Sequence, residues 1–277
     1  MRDTFYSGYN SNRGPSVSIW GTLPPTENQW MDNLVMLGGL TPFDDFTNFG
    51  GTVTTKVGSL ASSAGMYKSY EETSCTLKML DDDTNATTGV IELLLAGGAD
   101  NDEVNMEAGY GNAGMFIITA GKKAWFEARV WAKSVTDDDQ SWFVGLAEKG
   151  LAATDGMFSD ADPAVQASVD CVGFRVLEAD GDELDVVHGV NGTAPTELID
   201  GVQALTVSTW YKVGFYCDGT RVYFYVNGVQ QSTSVLTTAT NFPDGILLTP
   251  YISVKAESSV AATDGLRMDW WGAACEV

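Results

Sequence analysis

Histidine is almost absent from this chain, with His188 alone among 277 residues. That scarcity removes most nucleophilic triads and most zinc sites, which need imidazole as base or ligand. Positive charge is scarce as well: 15 Lys and Arg stand against 37 Asp and Glu, a formal -22. Phosphate backbones and anionic lipid surfaces repel such a molecule, so neither a nucleic-acid nor a membrane partner is expected. Four cysteines (Cys75, Cys171, Cys217, Cys275) lie far apart with no C-x-x-C, which argues against a zinc knuckle or a redox dithiol. Buried, reduced thiols are the expectation. No run reaches the roughly 18 uncharged apolar residues of a membrane span, and residues 1–12 carry no apolar signal region, so a cytoplasm-like compartment is expected. Neither a G-x-S-x-G elbow nor a G-x-x-x-x-G-K-[ST] phosphate loop occurs.

Helical periodicity is nearly missing too. From about Gly51 onward the chain shows short runs rich in Val, Ile, Phe, Tyr and Thr, cut by Gly, Asn and Asp clusters. Strands are expected at 90–96, 115–119, 124–133, 141–148, 171–177, 210–217, 221–226, 246–254 and 266–271. Asp218-Gly219 and Asn227-Gly228 can each supply the positive φ angles of a two-residue hairpin. Many antiparallel strands without helices predict a two-sheet sandwich over 52–277. With 44% hydrophobic residues and eight Trp there is ample apolar surface for its core.

Period-2 alternation names the faces. Val222, Phe224 and Val226 point inward from 221–226. In 124–133, Phe126, Ala128, Val130 and Ala132 form the inner set, while Trp125, Glu127, Arg129, Trp131 and Lys133 form a second, mixed face. That face is either covered by another part of the chain or binds something. Flat Trp rings beside charged hydrogen-bonding groups suit a sugar ring, so Trp125, Glu127, Arg129 and Trp131 are the candidates for a ligand or partner face.

Residues 1–51 differ, being rich in Gly, Asn, Pro and aromatics with little alternation, and read as an extended N-terminal arm that needs a surface to lie on. A short helix is expected near 27–37, from the Thr26/Gln29 capping pattern, the spacing of Trp30, Leu34 and Leu37, and the Gly38-Gly39 stop. Trp20, Trp30, Phe43 and Phe46 are the arm's candidates for contact with a partner.

The stretch Trp210 to Gly228, with a Trp-Tyr strand, an Asp-Gly turn and a strand ending in Val-Asn-Gly, resembles the hairpin of laminin-G and concanavalin-like domains. That resemblance implies an all-β, antiparallel jelly-roll sandwich. Three further segments (98–106, 124–130 and 143–147) taken in order resemble tailed-phage virion proteins, especially head decoration or cement proteins, in which such a sandwich follows an N-terminal arm. The resemblance implies a structural protein on the capsid surface, assembled in the host cytoplasm, with the major capsid protein as partner. It also implies a homo-oligomer, with a trimer among the options, and no catalytic residues.

Two other functions stay open at this stage: a carbohydrate-binding module or adhesin of a tail or fibre, and a glycosidase of the same fold. For the glycosidase, Glu183 and Asp185 fall on one face of a strand, as glycosidases on this fold require, but Val187 and His188 stand where a third acid should be. No enzyme is therefore expected. Acidic clusters at 81–83, 100–103, 137–139 and 180–185 could gather Ca²⁺, yet none has a calcium-loop pattern. Solvated turn acids are the expected reading, so no metal site is assigned.

Overall fold

The computed structural model describes residues 16–20, 43–44, 57–62, 65–72, 75–80, 90–95, 101–108, 116–153, 156–159, 166–257, 261 and 264–276. Along these run a one-turn helix α1 (Val17–Trp20) and seventeen strands: β1 (Phe43–Asp44), β2 (Val57–Ser62), β3 (Gly65–Glu71), β4 (Thr76–Leu80), β5 (Val90–Leu94), β6 (Glu103–Ala108), β7 (Phe116–Ile117), β8 (Ala124–Ala132), β9 (Gln140–Glu148), β10 (Cys171–Val176), β11 (Glu183–Gly189), β12 (Thr196–Ala204), β13 (Tyr211–Cys217), β14 (Arg221–Val226), β15 (Val229–Leu236), β16 (Leu247–Ala256) and β17 (Gly265–Cys275). No helix among the described residues is long and apolar enough to cross a membrane.

The strands form two antiparallel sheets packed face to face, the sandwich the sequence predicts. Sheet A runs β15-β14-β13-β8-β17-β5-β4, with β1 also paired to β17. Sheet B runs β12-β11-β10-β9-β16-β6-β3-β2, with β7 also paired to β16. Alternation fixes what lies between them. Phe126, Ala128, Val130 and Ala132 of β8, Val222, Phe224 and Val226 of β14, and Trp142, Val144 and Leu146 of β9 all enter one continuous apolar core. Buried polar links join sheet A to sheet B: the indole Nε1 of Trp271 donates to the Tyr67 hydroxyl at 2.9 Å, and Gln140 Nε2 to the Gly265 carbonyl at 3.2 Å.

Turn chemistry separates the two expected hairpins. Asn227 and Gly228 both take positive φ, 50° and 77°, and close a two-residue turn between Val226 and Val229. The Asp218 turn is a longer connection in which only Gly219 has positive φ (94°), while the Asp218 carboxylate accepts from the backbone N–H groups of Thr220 and Arg221, both at 2.8 Å.

The expected helix near 27–37 lies outside the described residues. From the first fifty residues the structure describes two pieces. Both lie on sheet A, α1 on its outer surface and β1 in register with Gly272 and Trp271 of β17.

Candidate functional site

A sandwich has two outer faces, and either can carry a ligand surface. On sheet A the outward row of β8 is the one singled out by alternation. Its first half is closed by the arm. Ser16 donates its backbone N–H, and Trp20 its indole Nε1, to the same Glu127 oxygen, each at 2.8 Å. Ile19 and Trp20 pack with Trp125 and Tyr225, and Trp125 stacks on Tyr216 at 5.6 Å between centroids. The Ser18 hydroxyl donates to the Gly228 carbonyl at 2.7 Å. Gly214 of β13, opposite Glu127, makes the approach feasible, since a Cβ there would stand 2.9 Å from Ile19 Cδ1.

One expectation is corrected by this: Trp20, expected to serve a partner, is spent inside its own chain. For Trp125 and Glu127, 2% and 1% exposed, the covered reading of their face holds and not the ligand one. The cause is the arm itself, whose short turn presents an indole and a backbone N–H to a carboxylate that burial would otherwise leave without donors. Burial pushes the Glu127 carboxyl above its ordinary value, against the pull of the Ser16 and Trp20 hydrogen bonds. Of the arm's other candidates, Phe43 is placed by its backbone in β1, and Trp30 and Phe46 lie outside the described residues.

The second half of the row is different. Arg129 is nearly buried, pairing with Asp269 at 2.5 Å, and its guanidinium lies 4.3 Å from the Trp210 ring centre. Asp269 reaches that position because the β8–β17 register shifts between Met268 and Trp270, a bulge that inserts one extra residue. Trp131 is half-buried, meets Trp210 edge-on at 5.3 Å, and carries the Arg267 guanidinium 4.5 Å above its ring. Beside them Glu92, 1% exposed, holds three cations: Lys78 at 2.7 Å, Lys133 at 2.8 Å and Arg267 at 2.8 Å. Burial alone would raise its pKa, but the three cations outweigh burial and hold the carboxyl down at about 2. This half of the face is a cationic, aromatic surface that reaches solvent through Lys78, Arg267 and Trp131.

Sheet B carries the charged row that sequence reasoning missed. Glu103, Asn105 and Glu107 alternate outward along β6, an E-x-N-x-E pattern with the period-2 spacing sought at Glu183. Its neighbour β16 adds Tyr251, Ser253 and Lys255. The pattern was readable in the sequence, but Asn in the central position hid it from a search for three acids. The row is closed. Glu103 accepts from Asn105 Nδ2 at 2.8 Å and from the Tyr251 hydroxyl at 3.3 Å, with Lys255 Nζ at 3.8 Å. Glu107 takes the backbone N–H groups of Gly150 at 2.8 Å and Ala152 at 3.3 Å, pinning the connection between β9 and β10 to the sheet. That connection lays Leu151, Met157 and Phe158 over Phe143, Ala147, Val187 and Tyr251, and Lys255 Nζ donates to the Phe158 carbonyl at 3.4 Å. Gly145 and Gly173 face each other under the Phe143 ring, where any Cβ would clash.

At the far side of sheet B, Glu183 is exposed, whereas Asp185 is buried and pairs with Arg175 at 3.4 Å, which also reaches Glu197 at 2.5 Å. Val187, in place of a third acid, is wholly packed under Phe158. His188 is buried at the rim against Phe242 with Nδ1 2.9 Å from the Asn241 carbonyl, and burial lowers its pKa. Among the described residues no group of three or more His, Cys, Asp or Glu side chains is placed to hold a metal ion. In the 137–139 cluster Asp137 accepts from the Gly181 N–H, and Asp139 from the Ser134 hydroxyl. The four cysteines are free, with Cys171 on the outer face of sheet B and Cys217 in the core. Burial pushes the thiols of Cys75 and Cys171 up to about 12 and that of Cys217 up to about 11.

No family model and no curated protein sequence matches this chain. Solved structures do match in fold. A protein of unknown function from Shewanella oneidensis MR-1 is similar over 93% of this chain and 96% of its own, at 16% identity and a TM-score of 0.53. A glycoside hydrolase family protein from Mycobacterium thermorestibile is similar over 84% and 99%, at 13% identity and a TM-score of 0.50. The mixed-linkage glucan GH16 protein of Bacteroides ovatus is similar over 84% and 99%, at 11% identity and 0.49. The chain has the jelly-roll, concanavalin-like fold, shared with the glycoside hydrolase family protein.

Proposed function

We propose that this chain is a non-enzymatic structural protein of a tailed-phage virion, a head decoration protein that binds the outer capsid surface as a homo-oligomer. One observation carries the non-enzymatic part. Three outward carboxylates are covered by the chain's own segments: Glu127 by Ser16 and Trp20, and Glu103 and Glu107 beneath residues 150–153 and 156–158. A glycosidase needs two carboxyls flanking a substrate that can enter between them. Here the carboxyls bind backbone and side-chain donors of the same molecule. The virion part is supported by the decoration-protein resemblance of 98–106, 124–130 and 143–147. Contact with the major capsid protein then falls to the arm residues other than Trp20 and to the sandwich periphery.

Mass spectrometry of purified particles tests this reading. Hundreds of copies per virion are expected. A handful would assign the chain to a tail or fibre, and none would end the virion reading. Hydrolysis of a β-glucan by the purified chain would overturn the non-enzymatic part.

The second reading, a carbohydrate-binding module, is favoured by one feature, the half-buried Trp131–Trp210 pair on a fold that glycan-acting proteins share.

A further inference from the structure

The outward positions of β4, β5, β17, β8 and β13, with Lys133 one residue past β8, hold five of the chain's fifteen basic residues: Lys78, Arg129, Lys133, Lys212 and Arg267. Three acids share those positions (Glu92, Glu127 and Asp269), each no more than 1% exposed. Five cations on three carboxylates make this surface formally +2. Removing both sets from the chain's 15 and 37 leaves ten basic against 34 acidic residues, so everything else in the molecule is formally -24. The sign reversal is also layered in depth. The acids lie beneath, while Lys78, with 45% of its side chain exposed, Arg267 and Lys133 reach outward.

Two further features show what this surface fits. Guanidinium groups already lie against the rings of Trp131 and Trp210, so Arg N–H donors sit at ring surfaces that a stacked sugar would use. Both indole Nε1 atoms are buried, so the Trp rings offer area and not N–H donors. The surface thus offers positive charge beside aromatic area, the composition of a protein–protein hot spot for carboxylate side chains. In any second copy the rest of the chain carries that formal -24.

We infer that the Trp131–Trp210 cationic patch is the contact through which one copy of this chain takes an acidic surface of a second copy. The contact is heterologous, patch to non-patch, so it closes into a ring where the rotation between copies allows. This inference rests on the homo-oligomer of the proposed function and not on the capsid.

Sedimentation equilibrium of the full chain, run at about 50 mM and about 500 mM NaCl, reads the contact, because screening weakens charge pairs at the surface. The test variant is the double charge reversal Lys78→Glu with Lys212→Glu, first shown to unfold cooperatively near the wild-type midpoint. Expected are self-association of the wild type that weakens with salt, and at least about tenfold weaker association in the variant. Equal association of variant and wild type would overturn the inference, as would a wild type that is monomeric at both salt concentrations. In the latter case tetragalacturonate is the second probe, and binding that the variant loses would reassign the patch to an anionic glycan. Copy number per particle is independent of all these outcomes, so failure here is separable from failure of the virion reading.

Discussion

Each outer face of the sandwich is covered over part of its area, but by covers of different origin. Sheet B is covered by the connection between its own adjacent strands β9 and β10, anchored by Glu107 and by Lys255. Sheet A is covered over Trp125 and Glu127 by a turn more than a hundred residues away in sequence, held by one carboxylate oxygen and an indole. A cover tied at both ends to neighbouring strands loses little entropy on docking, whereas a distant arm must be ordered for that purpose alone. Sheet B's cover is therefore part of the global fold, and sheet A's is the cover that can open by itself.

The strongest way to break this contrast is to disturb the ion pair under the sheet B cover. Lys255→Ala leaves the buried Glu103 carboxylate without its cation and is expected to cost about 3–5 kcal/mol in chemical denaturation. A loss under about 1 kcal/mol would mean that the cover is not part of the cooperative unit. On sheet A, Trp20→Ala is expected to remove the arm from Glu127 at about 2 kcal/mol or less, the worth of one buried aromatic, with the sandwich still unfolding in one transition.

Acidity should act on the two regions of sheet A with opposite sign. Glu127 has a folded-state pKa above its ordinary 4.5, so its contribution to folding stability is full below pH 4.5 and fades as pH rises through the raised value. Glu92 is held down from 4.5 to about 2, so its contribution is full above pH 4.5 and is lost as pH falls toward 2. Denaturant unfolding should report a stability that declines as pH rises above 4.5 through the raised value, a decline that Glu127→Gln abolishes. Circular dichroism should report loss of the sandwich only in strong acid. The smallest effect is expected at Glu183→Gln, within about 0.5 kcal/mol, because that carboxylate is exposed and binds no buried partner. A larger change in the thermal midpoint would show that Glu183 supports the β11–β12 pairing.

Much of the sandwich was legible because alternation is a local property. The inner set of β8 and that of β14 could be read residue by residue, and Asn227-Gly228 closed the turn its dipeptide predicts. Polar edge strands escaped: β15, with its central Gln-Gln-Ser-Thr-Ser, and β12, with Asp200-Gly201, lie at sheet edges where one face need not be apolar. The site was legible only in part. Trp125, Glu127, Arg129 and Trp131 do share one face, but what covers half of them comes from residues 16–20, and no local pattern encodes that meeting. Asp269 meets Arg129 only because of a bulge, and Lys78 and Arg267 meet only through Glu92, all long-range facts of topology.

Hydrogen–deuterium exchange over residues 16–20 tests most directly whether the chain closes its own outer face. The Ser16 N–H donates to Glu127, and the N–H groups of Ile19 and Trp20 donate to the Ser16 carbonyl at 3.1 and 3.0 Å. Slow exchange at these amides is expected in the wild type, with loss of that protection in Glu127→Ala while the β6 and β16 amides stay protected. Exchange at 16–20 as fast as in a free peptide, with β6 and β16 still protected, would show the Trp125–Glu127 face to be open and would contradict the account.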